Sequence, residues 1–160
     1  MSKLGKPIFW MLGIAVAVVL TPVLYIAIWL FVTQPQMFTD PVIDTIAPVL
    51  PLDMGDKAIL VFSKTSGGFR HIEAIDAARI MIEQLARKNG WQVIHTENGA
   101  IFNDEMLSHF AVVIGSNNTG AALSDSQRKS FRQWLENGGG YVVWHSGGDS
   151  SHRDWDWYTN

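Results

Sequence analysis

No cysteine occurs in this chain of 160 residues. That excludes a disulfide framework, a thiolate-bound zinc and a cysteine nucleophile, while leaving the compartment open. Charge is scarce. Asp, Glu, Lys and Arg make up 17% of the residues, against about 25% in a soluble domain. The shortfall is local, since no charged side chain lies between Ile8 and Thr33. The mildly acidic net charge of −3 argues against nucleic acid as a partner. A G-x-x-x-x-G-K-[ST] phosphate loop, a G-x-G-x-x-G dinucleotide fingerprint and a dense metal motif such as H-E-x-x-H are also missing. There are no internal repeats and no low-complexity tracts.

What is present begins with the uncharged run. As a helix, residues 8–33 reach about 39 Å, more than the roughly 30 Å hydrocarbon core requires. Trp10 and Trp29 suit the two interfaces. Pro22 is better tolerated in a membrane helix than in a soluble one. A cleaved signal peptide has a shorter apolar core and a small-residue cleavage site. Neither fits Gln34-Pro35-Gln36-Met37-Phe38, so residues 8–33 are expected to form an uncleaved transmembrane anchor. Lys3 and Lys6 precede the run, and Asp40, Asp44, Asp53 and Asp56 follow it before the next basic residue, Lys57. The positive-inside rule then puts residues 1–7 in the cytoplasm and the rest outside it. Residues 34–56 carry Pro35, Pro41, Pro48 and Pro51. They read as a semi-extended spacer, or as a segment packed on the domain through Val49, Leu50 and Leu52.

Residues 57–160 alternate apolar runs with helical periodicity. Lys57–Phe62, Trp91–His95, Phe110–Ile114 and Gly140–His145 read as strands. Ile72, Ile75, Ala78, Ile82 and Leu85 mark a helix that Asn89-Gly90 stops. Asn103 is placed to cap a short helix through Leu107. Ser124 with Gln127 forms a capping box for a helix whose apolar side is Phe131, Trp134 and Leu135. This pattern predicts an α/β fold with a flavodoxin-like parallel sheet of order 2-1-3-4. The fourth strand is then an uncharged apolar edge, Tyr141–Trp144, which invites pairing and self-association. It also suggests an incomplete sheet.

Ligands of such sheets bind beyond the carboxyl ends of the strands. Three polar loops are expected there: Ser63–His71, Ser116–Gly120 and His145–His152. His71 is a candidate catalytic or ligand contact, and Arg70 a candidate for an anionic group. Asn117, Asn118 and Thr119 suit sugar hydroxyls, or serve as turn residues. Ser146 and Asp149 are further ligand candidates on the last loop. His145, Asp149 and His152 form a candidate divalent-metal set. His145 ends the fourth strand, and an imidazole ordinarily titrates near neutral pH, so it can act as base, donor or metal ligand. His95 and His109 read as surface or structural. Trp155, Trp157 and Tyr158 read as stacking groups for a sugar, or as core residues for a half of the domain beyond this chain.

The stretches "LVFSKTSGGFRH", "VVIGSNNTGAALS" and "ENGGGYVVWHSGGD" resemble the trehalose-utilisation (ThuA-like) family. Its fold is that of class I glutamine amidotransferases. The resemblance covers residues 57–160 and implies a role in carbohydrate metabolism, with trehalose-type sugars as the founding case. In amidotransferases of this fold a sharp strand-to-helix turn carries the cysteine nucleophile. Here that turn is Trp144-His145-Ser146-Gly147, with His145 in the nucleophile's place. Glutaminase activity is therefore not implied. Family members continue past the segment that ends this chain, so the resemblance implies a partial domain. Two functions are expected: a membrane-anchored protein that binds a polar sugar at the strand ends, or a structural or signalling domain without chemistry.

Overall fold

Four apolar runs become one parallel sheet, buried most fully along Ala58–Phe62 and Phe110–Ser116. The computed structural model describes residues 5–55, 58–148, 152 and 154–160. In chain order the sheet strands are β1 (Ala58–Phe62), β3 (Val93–Thr96), β4 (Phe110–Ser116) and β6 (Gly140–Trp144). Their spatial order is β3-β1-β4-β6, all parallel. This is the expected 2-1-3-4 layout. Strand ends differ by one or two residues from the sequence reading. The fourth strand stops at Trp144, because His145 leaves the extended region. An unforeseen ladder of two short parallel strands, β2 (Thr65–Ser66) and β5 (Thr119–Gly120), joins the loops after β1 and β4.

The connecting helices form where their signals stand. α2 (Ile72–Asn89) buries Ile75, Ala78, Ile82 and Ala86, the inward stripe of its period. It ends at Gly90, which takes φ 68° and donates its N–H to the Ala86 carbonyl. α3 (Asp104–Leu107) is capped by Asn103, whose side chain accepts from the Met106 amide. α4 (Asp125–Glu136) starts on the Ser124–Gln127 capping box. Alternate residues of β1 serve opposite faces. Leu60 and Phe62 join Ile101, Phe102, Leu107 and Phe131 in the larger core, while Val61 meets Ile82 and Ile114 under α2.

Trp155, Trp157 and Tyr158, each half-buried, pack against the larger core of this domain. Trp155 lies 6.1 Å from Phe131, with the Arg128 guanidinium over its ring. Burial of three aromatic faces folds the short α5 (Asp156–Thr159) back onto the sheet. Among the described residues β6 nevertheless remains an open edge, with Val142 and Val143 exposed.

The proline-bearing segment also differs from a free spacer. Leu50 packs on the core as one reading expected, but Val49 and Leu52 are fully exposed. Polar anchors hold the rest. The buried Lys64 ammonium donates to the Asp44 carboxylate and to the Val42 carbonyl (2.6 Å). Asp44 also accepts the Gly99 amide at 2.8 Å, and its carbonyl accepts from Gln127. These partners lie outside any local period, so sequence patterning could not reveal them. Burial alone would raise the Asp44 pKa. Lys64 and the Gly99 amide more than offset it and hold the carboxyl below its ordinary 3.8. A depressed carboxyl stabilises the fold fully above its ordinary pKa and stops doing so as pH falls through the lower folded value. Melting temperature should therefore fall more steeply for the natural chain than for Asp44→Asn between about pH 5 and pH 3. Parallel curves would mean that the pair adds nothing.

At the N-terminus, α1 (Gly5–Thr33) runs unbroken through Pro22. Among the described residues it is the one helix long and apolar enough to cross a membrane.

Candidate functional site at the carboxyl edge of the sheet

β6 lies beside β4 with Trp144 opposite Ser116, so the chain reaches the carboxyl edge at His145. There it turns sharply. His145 has φ 52°, and residues 145–148 form one turn of 3₁₀ helix. A side chain in this left-handed region is uncommon and costs about 1–2 kcal/mol. Gly147 makes the turn possible, because a Cβ there would sit 2.6 Å from the Gly115 carbonyl. Tyr158 secures the turn by donating its hydroxyl to the Gly147 carbonyl, and it also shares a 2.8 Å hydrogen bond with the Tyr141 hydroxyl. Burial and the neighbouring Tyr158 push the Tyr141 pKa up, so the Tyr141 hydroxyl stays neutral beside the turn.

His71 immediately precedes α2 and makes no side-chain cap. Its ring instead meets His145 edge-to-face, with centroids 4.4 Å apart, and lies 4.9 Å from Phe69. Two residues 74 positions apart in the chain are thereby brought together at the sheet's carboxyl edge. His145 Nδ1 lies 3.3 Å from the Ser146 hydroxyl. His145 is exposed, His71 is half-buried and Ser146 is buried. The ring nitrogens of the pair can hydrogen-bond a polar ligand.

The other candidates occupy different places. Asn117, Asn118 and Thr119 are all buried. Asn117 takes φ 54°, the left-handed turn conformation that asparagine tolerates. Asn118 Nδ2 lies 3.3 Å from His152 Nε2, tying the last loop to the β4 loop. Thr119 pairs with Thr65, and its amide donates to the Lys64 carbonyl. These three residues build the floor of the edge. Arg70 forms a bidentate pair with Glu97, at 2.7 and 2.5 Å. That hydrogen bonding, opposed by burial, raises its pKa, so its charge is already matched. Asp149 lies outside the described residues. His152 is buried against Tyr158. Among the described residues no three His, Asp or Glu side chains gather into a metal-holding group.

A crevice of about 210 Å³ opens beside this edge, where the chain's crossovers reverse direction between β1 and β4. Ser63, Ser116, Arg70, Asp76, Arg79 and His95 line it. It is smaller than the roughly 300–1,000 Å³ of drug-sized sites and suits a small polar molecule. Burial lowers the His95 pKa, Arg79 adds to this and Glu83 opposes it. His95 Nε2 lies 3.6 Å from Glu83 Oε1. Sequence reading assigned His95 to the surface or to structure, since its strand position alone does not show the crevice.

The trehalose-utilisation (ThuA) family model matches residues 58–160. The crystal structure of a ThuA-like protein from Bacteroides uniformis resembles this one with a TM-score of 0.56 at 22% sequence identity. The likeness covers 71% of this chain and 46% of that one, so the chain spans less than half the length of that protein. At this identity the likeness is one of fold. No curated protein matches the sequence. The match over residues 58–160, together with the parallel sheet that those residues form, places the chain in the ThuA (trehalose utilisation) family.

Proposed function

We propose that this is a membrane-anchored ThuA-like domain that binds a polar, carbohydrate-type ligand at the carboxyl edge of its sheet, with His145 and His71 as the central groups. One observation carries the reading: His145 is held at φ 52° with its ring 4.4 Å from that of His71. Strain of this kind persists where surrounding structure enforces it, and it clusters at functional sites. The family name supports a sugar as ligand, and the absence of cysteine argues against glutaminase chemistry. The test is a titration of the full chain in nanodiscs with a panel of mono- and disaccharides, followed by calorimetry. Saturable binding that His71→Ala weakens supports the reading; a flat response to every sugar removes it.

The anchor would be α1, with its N-terminus in the cytoplasm, on the strength of Lys3 and Lys6 before it and four aspartates after it. A reporter fused after Asn160 should then be active only outside the cytoplasm.

A second reading, a structural or signalling domain, draws on the open β6 edge, where Val142 is 49% and Val143 37% exposed. Such an edge can pair with another copy. Under this reading, the Val142→Lys, Val143→Lys double variant should convert a self-associating species to monomer in sedimentation, with unchanged circular dichroism. A natural chain that is already monomeric would end it.

A further inference from the structure

We infer that the carboxyl edge of the sheet, with its His71–His145 pair, faces the bilayer, and that Phe38 and Val42 rest in the membrane interface. This rests on the anchor reading of α1. Gln34 is the first residue after that helix. Its side chain accepts the Arg70 amide at 2.7 Å and donates to the Arg70 carbonyl at 3.2 Å. Gln34 is buried in doing so. The helix therefore joins the domain at the residue before His71, with no slack between them. Pro41 then lies against Gly67, and Asp44 against Lys64, both on the loop that follows β1. The segment that leaves the helix thus runs across the carboxyl edge before descending.

Its outward side chains continue the apolar surface of the helix. Phe38 packs on Phe31 of the last helical turns, with centroids 5.7 Å apart. Phe38 is 55% and Val42 67% exposed. An isolated exposed apolar residue is ordinary, but these follow directly on a helix whose own surface is apolar and uncovered. Aromatic and aliphatic groups beside a span settle at the headgroup boundary. The far end of the same segment supplies an internal comparison. Leu52 is fully exposed as well, yet the next residue, Asp53, gives its carbonyl to Gln92, just before β3 begins. Leu52 therefore belongs to the amino edge, a sheet's height away from the proposed interface.

The absence of cysteine makes the test direct. Single variants Val19→Cys, Phe38→Cys, Val42→Cys and Leu52→Cys of the full chain, labelled with an environment-sensitive fluorophore, are placed in phosphatidylcholine nanodiscs. Quenching is read from bromine along the acyl chains and from nitroxide on the headgroups. The expected result is acyl-chain quenching at Val19 and headgroup quenching at Phe38 and Val42 several-fold stronger than at Leu52. If Val19 is quenched while Phe38 and Val42 respond no more than Leu52, the anchor stands and the membrane-facing edge is overturned. If Val19 is not quenched, the anchor reading fails and takes this inference with it.

Discussion

His145→Gly should abolish ligand binding while raising the melting temperature. The two effects have separate causes. Histidine at φ 52° carries a steric cost of roughly 1–2 kcal/mol that glycine does not. Glycine loses more conformational entropy on folding, which offsets about 0.5–1 kcal/mol of that gain. The net stabilisation is about 0.5 kcal/mol, or roughly 2–4 °C for a domain of this size. The imidazole that meets His71 is gone, so binding at the edge should disappear. His145→Ala keeps the strained backbone and should lose binding with no rise in melting temperature. Calorimetric titration and thermal melts of the three proteins read both quantities. A His145→Gly protein that still binds, or that unfolds, would mean that the turn serves structure alone.

Gly120→Ala should be the most destabilising single methyl in the domain. Gly120 takes φ 72° and pairs with Ser66 in the β2–β5 ladder. A Cβ there would overlap the Ser66 carbonyl, a backbone group with no flexible end to move aside. The ladder must open. About 1–2 kcal/mol comes from the left-handed backbone, and about 1 kcal/mol from each ladder hydrogen bond lost. The expected total is about 3 kcal/mol, a fall of more than about 10 °C. Gly138→Ala separates the two terms. Its φ is 102° but nothing lies within 4 Å of the added methyl, so only backbone strain acts. Equal losses at the two positions would show that the contact with Ser66 is not what makes Gly120 necessary.

The ladder also decides where Asn117, Asn118 and Thr119 sit. By type their side chains suit sugar hydroxyls or a turn. In the folded chain β5 draws them beneath the edge, where Thr65 and His152 become their neighbours. Composition identified the loop, and burial decided which way it faces.

Periodicity and caps in the sequence determine a good deal of this protein by themselves. The continuous apolar runs at Ala58–Phe62 and Phe110–Ile114 specify doubly covered parallel strands. The stripe on α2 and the Ser124–Gln127 box specify helices between them. Right-handed crossovers then leave the order β3-β1-β4-β6. The glycines around His145 announce a tight turn at the end of β6. These features are local, and local patterns report which residues are buried and how the backbone is spaced. Only the tertiary structure decided which groups meet. Asp44 finds Lys64 and Gly99, His71 finds His145, and Trp155 finds Phe131 across the larger core. Each of those pairings depends on where the sheet places loops that lie tens of residues apart, and on a backbone turn at His145 that an isolated stretch of chain has no reason to hold.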